Sequence, residues 1–159
     1  EELIRYAVAQ DPRNYAYLDS LGWVLYKKGD FAGARYWLEL ARGADEEDDP
    51  VILDHLGDTY WRLGDTERAV AGWQAAVEAA RTGMQRDRRR RDDVDWQRIA
   101  EQTPAKIEAA AAGQTPDVAP LAGETEPVDS VARREPGSCS SVGPAFPMWD
   151  RLSSRSPVP

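Results

Sequence analysis

Residues 19–34 read DSLGWVLYKKGDFAGA, and residues 54–69 read DHLGDTYWRLGDTERA. A shift of 35 residues lays Asp19 on Asp54, Leu21 on Leu56, Gly22 on Gly57, Tyr26 on Trp61, Gly29 on Gly64 and Asp30 on Asp65. The register continues through Ala34 on Ala69, Leu38 on Trp73 and Ala41 on Ala76. Self-similarity at such a period marks stacked supersecondary units. Inside a unit the apolar residues recur at helical steps: Leu18, Leu21 and Leu25, then Phe31, Ala34, Leu38 and Ala41. Each unit therefore reads as a pair of helices.

The residues between the apolar runs support the same division. Asn14 and Asp49 stand where helix N-caps are wanted, and Pro50 follows at a first helical position, where its missing N–H is no loss. Gly29-Asp30 and Gly64-Asp65 each supply a glycine able to take positive φ and then a cap for the next helix, which makes a tight antiparallel turn. Gly22 and Gly57 lie inside helices, where glycine loses about 1 kcal/mol against alanine. Close approach of the partner helix is expected to offset that, with the small Ala34 and Ala69 on the facing side.

The order Leu-Gly, Tyr or Trp, Gly, Ala, aromatic or Leu, Ala resembles the tetratricopeptide repeat (TPR), over residues 15–47 and 50–82. The wording also resembles the closing repeats of long bacterial TPR proteins. Leu25 stands where that family prefers Tyr, and the acidic residues 45–49 replace the usual loop proline and add one residue. The resemblance implies an all-α solenoid of antiparallel helix pairs with a concave face lined by the first helix of each pair. The positions that match that lining include Asp19, Trp23, Tyr26, Lys27, Asp54, Asp58, Trp61 and Arg62, the expected partner-binding residues. Family members that grip a terminal carboxylate use Lys, Arg and Asn there, so the acidic and aromatic set implies instead a protein or peptide segment of basic or aromatic character, with Trp23, Tyr26 and Trp61 as flat contact area.

Residues 1–12 sit 34 residues ahead of the second helix of the first unit, with Ile4 and Ala7 matching Leu38 and Ala41. They read as the second helix of a truncated earlier repeat. A chain that opens on Glu1 is expected to be the C-terminal part of something longer, with Leu3, Ile4 and Ala7 facing upstream repeats. Residues 83–112 read as an Arg-rich extension and a capping helix, carried by Val94, Trp96, Ile99 and Ile107, with Thr103-Pro104 as a start signal and Gly113 as a stop. Solenoids need a terminal element of this kind, apolar inside and polar outside. Residues 113–159 hold 8 Pro, 7 Ser and 4 Gly, a density at which a disordered tail is expected.

Composition narrows the function. The formal charge of −8 disfavours phosphate backbones and anionic membrane surfaces, so no nucleic acid is expected as a partner. No apolar run approaches the roughly 18 residues of a membrane span. One Cys and one His exclude an internal disulfide and argue against a metal site, and no cofactor motif is present. His55 beside Asp54 has no Ser or Cys nucleophile in a recognisable motif, so no catalytic residue is named and the protein is not expected to be an enzyme. Cys139 reads as an incidental thiol, and the three-residue spacing of Phe146, Trp149 and Leu152 as chance.

The expected function is that of a non-catalytic protein-binding scaffold. Its rivals are a repeat module of a larger enzyme or assembly factor whose active domain lies upstream, an anion or nucleic-acid contact through the run from Arg86 to Arg91, and a spacer with no ligand of its own. The Arg run is followed at once by Asp92, Asp93 and Asp95, so neutralisation within the chain is its expected fate. The compartment is left open, a soluble location in the cytoplasm being favoured.

Overall fold

The computed structural model describes residues 1–87 and 93–124. They form an all-α unit of six helices, α1 Glu2–Gln10, α2 Tyr15–Lys27, α3 Phe31–Ala44, α4 Pro50–Arg62, α5 Thr66–Arg86 and α6 Val94–Ala111. Each helix packs on the next in sequence. In addition α2 touches α4 and α4 touches α6, whereas α3 does not reach α5 among the described residues. The alternate helices α2, α4 and α6 thus share one face. No described helix is long and apolar enough to cross a membrane.

Local signals set the helix ends. The side chains of Asn14, Asp30, Asp49 and Asp65 accept from the backbone N–H groups of Tyr17, Gly33, Val51 and Arg68, relieving donors that the first turn leaves orphaned. Gly29 and Gly64 take φ of +83° and +80°, and in both turns the glycine amide and the following aspartate amide close back on the helix before it. This is the Schellman arrangement, which only a residue tolerant of positive φ completes without strain.

The 35-residue equivalence is visible in the packing. Leu18 and Leu53, Leu21 and Leu56, Ala34 and Ala69, Leu38 and Trp73, Ala41 and Ala76 are buried in both members of each pair. One core cluster joins α1 to α4 through Val8, Leu21, Leu38 and Leu56, and a second joins α4, α5 and α6 through Leu53, Ala76, Trp96 and Ile99. Helix α4 serves both, which is why residues 52–59 are buried without a break.

The two helical glycines mark the closest approaches, at Gly22 to the Ala34 backbone as expected and at both positions to a large side chain as well. A β-carbon on Gly22 would lie 2.6 Å from Leu38 Cγ and 3.2 Å from the Ala34 carbonyl oxygen, and one on Gly57 would lie 2.3 Å from Trp73 Cδ1. The large residue at the 38 and 73 positions fills most of the space that glycine leaves.

Helices α1, α5 and α6 depart from their expected roles or limits. In α1, Val8 is buried and Ile4 packs against the core, so of the apolar residues expected to face upstream repeats only Leu3 is largely exposed, together with Tyr6. Helix α5 runs to Arg86 rather than ending at 82, because its last turn seats Trp96: a β-carbon on Gly83 would lie 2.0 Å from that indole. Helix α6 starts at Val94, capped by Asp93, and passes straight through Thr103-Pro104. A mid-helix proline frees the carbonyl four residues earlier; here that carbonyl, of Ala100, accepts from Arg81 Nη2 at 3.2 Å. The Arg run lies largely outside the described residues, as do Cys139 and the apolar residues at 146, 149 and 152.

Candidate peptide-binding face

Gly113, at φ +67°, ends α6, as its position suggested. Residues 113–124, expected to belong to an unfolded tail, instead cross the face that α2 and α4 share; residues 125–159 lie outside the described residues. Pro116 and Pro120 keep this strap from continuing as helix. Pro116 is buried, and Ala119 and Leu121 pack against the α1–α4 core cluster.

Most of the grip is on the strap's backbone. Tyr26 donates from its hydroxyl to the Ala119 carbonyl at 2.7 Å, and Arg62 Nη2 donates to the same oxygen at 3.2 Å. Lys27 Nζ donates to the Pro120 carbonyl at 2.8 Å, and its own carbonyl accepts from the Ala122 amide at 2.7 Å. Asp58 Oδ2 accepts from the Ala119 amide at 3.0 Å. Arg62 also pairs with Glu124 at 3.5 Å, the one bond here that reads a side chain.

Beneath the strap lies a buried ionic network. Asp54 and Asp58 stand one turn apart on α4, where two carboxylates repel each other. Lys106 Nζ from α6 bridges them, 3.0 Å from Asp54 Oδ1 and 2.6 Å from Asp58 Oδ1. Thr103 Oγ1 donates to Asp54, Trp73 Nε1 donates to Asp58, and Arg98 lies 3.7 Å from Asp54. Burial pushes the Asp58 carboxyl above the ordinary aspartate range, with Asp54 adding to the rise and the Lys106 ammonium and the Ala119 amide opposing it. No buried side-chain nitrogen or oxygen among the described residues lacks a partner.

Toward the open side, Trp23 stacks on His55 with ring centroids 3.7 Å apart and on Tyr26 at 4.7 Å, and Lys27 Nζ sits 5.0 Å over its ring. Asp19 Oδ1 meets His55 Nδ1 at 2.8 Å. Next to this stack a cleft of about 830 Å³ opens between α6, the strap and Trp23. Trp61 is half-buried and tilts against Trp73, 6.1 Å away.

The eight residues expected on the binding face thus separate into groups. Tyr26, Lys27, Asp58 and Arg62 converge on the strap, Asp19 and Trp23 meet at His55, Asp54 is covered by α6, and Trp61 leans on the core. Sequence reading missed Thr103, Lys106 and the strap itself. The available signal was the three-residue spacing of Thr103 and Lys106, which puts both on one helix face. Among the described residues no three of His, Cys, Asp and Glu converge in a way that could hold a metal ion.

Tyr26 gives this face a pH signature. Burial raises its hydroxyl from 10.0 to about 12, and the nearby Asp58 and Glu124 charges add to the rise while Arg62 opposes it. Because the folded value is the higher one, the stabilisation is complete below about pH 10 and is lost as pH climbs through about 12. The strap is expected to lose the Tyr26 donor over that interval. Ultraviolet titration of the tyrosines should show a late component that is reduced in Tyr26→Phe; an unchanged late component would assign it to other tyrosines.

Comparison with family models, curated proteins and solved structures returns no match for this chain.

Proposed function

We propose that the protein is a non-catalytic TPR-like scaffold that captures an extended segment of a partner protein on the face shared by α2, α4 and α6. The observation that carries this reading is the strap: a non-helical stretch lies across that face and is held through its own carbonyl and amide groups by Tyr26, Lys27, Asp58 and Arg62. Backbone groups are common to every peptide, so such a grip accepts extended chain in general and leaves selectivity to a few neighbouring side chains. The TPR reading is supported by the matched burial of residues 35 apart, by the paired glycine turns and by the sequential helix packing. Helices packed from both sides hold the binding groups in place before a partner arrives, which lowers the entropy lost on association.

Selection of peptides from a random displayed library against the immobilised chain tests this. With the strap amides removed by Ala119→Pro/Ala122→Pro, enriched peptides should bind about tenfold more weakly or worse once Lys27→Ala/Arg62→Ala is added, since each lost bond involves a charged donor. Peptides that bind that strap-released chain equally with and without Lys27→Ala/Arg62→Ala would put the binding surface elsewhere.

A further inference from the structure

From the way the strap is seated, we infer that it is the chain's own internal ligand, and that the partner is a segment of like chemistry that must displace it. The inference rests on the proposed peptide-binding reading and adds to it a ligand class and a means of regulation.

The strap specifies that class position by position. Ala119 offers both its carbonyl, to Tyr26 and Arg62, and its amide, to Asp58, in a spot where it packs against the core cluster, so the matching partner residue is small and is not proline. Pro120 presents a carbonyl to Lys27 and asks nothing of an amide, so proline is accepted there. Leu121 packs against the core cluster and calls for an apolar side chain. Glu124 meets Arg62, so a carboxylate three residues further on is favoured.

A segment with these features is neutral to acidic, unlike the basic or aromatic one expected from the sequence. Asp54 and Asp58 make the face look acidic on paper, but Lys106 and Arg98 together balance their charge from α6. Among the described residues the cations bonded to the strap are Lys27 and Arg62.

Self-occupancy follows from the tether. Only residues 114–118 separate the glycine that ends α6 from Ala119, the first strap residue bonded to the face. A linker that short keeps a tethered segment at an effective concentration of about millimolar. A free partner segment sees only the fraction of molecules whose strap is released, so its apparent affinity falls by that fraction. Any event that weakens the strap therefore raises partner affinity without altering the face.

The experiment uses the full chain and a labelled synthetic peptide of residues 114–124, with binding read by fluorescence anisotropy. Ala119→Pro/Ala122→Pro removes the two strap amides that Asp58 and the Lys27 carbonyl accept, without touching the face. Unchanged far-UV circular dichroism and urea midpoint will show that the helices are intact. The double variant should bind the peptide saturably, and the parent chain should not at concentrations well below the tether's roughly millimolar level. A peptide carrying Ala119→Pro should fail to bind, and one carrying Glu124→Ala should bind about two- to five-fold more weakly. Equal binding to parent and variant would overturn self-occupancy while leaving the peptide-binding face in place. Binding to neither, with the helices intact, would overturn both.

Discussion

Lys106→Met is expected to lower the unfolding free energy by about 3–5 kcal/mol, the scale of loss when one partner of a buried ion cluster is removed. Asp54 and Asp58 side chains are 4% and 1% exposed and sit one helical turn apart, with the Lys106 ammonium as their shared counter-charge. Methionine keeps most of the volume and deletes the charge, so two carboxylates are left facing each other in a water-poor site. Urea denaturation measures the loss. Adding Asp54→Asn and Asp58→Asn to the Lys106→Met chain should recover a large part of it, because the uncompensated charge goes while the shape remains. A loss under about 1 kcal/mol, the range of exposed pairs, would mean that α6 does not seal this site.

Trp73→Ala carries a similar expected loss, about 3–5 kcal/mol, for a different reason. The indole is fully buried, fills the space that Gly57 leaves on α4, and donates from Nε1 to Asp58 at 2.9 Å. Truncation opens a cavity between α4 and α5 and removes one of the donors that make a buried Asp58 tolerable. Leu38→Ala, the same position 35 residues earlier, should cost about 2–5 kcal/mol from packing alone. Both losses can be read from urea midpoints. If only one of the two positions proved sensitive, the helix pairs would not be equivalent units, and the repeat reading would fail.

What could be read from the sequence was whatever is decided locally or by the repeat. Leu18, Leu21, Leu38 and Ala41 and their mates 35 residues on are buried as their spacing implies, and Asn14, Asp30, Asp49 and Asp65 cap the helices they precede. Features settled by distant partners were hidden. Pro104 looked like a helix start because local rules say so, whereas Arg81, 23 residues earlier, takes up the carbonyl that the proline releases. Asp54 and Asp58 looked like an open acidic surface because their counter-ion lies about 50 residues away on α6. Averaging Pro, Ser and Gly over residues 113–159 concealed a short stretch whose backbone groups have particular partners. Of the candidate site, the face was legible from the repeat; its occupant and its buried neutralisation were not.

The face shared by α2 and α4 holds the backbone of the strap. Amide hydrogen exchange resolved at Ala119 and Ala122 tests it most directly, since these two N–H groups donate to Asp58 and to the Lys27 carbonyl. Slowed exchange at both, relaxing toward the unstructured rate in Tyr26→Phe/Arg62→Ala while the helices keep their protection, is the predicted result. Exchange at the unstructured rate in the parent chain would contradict it.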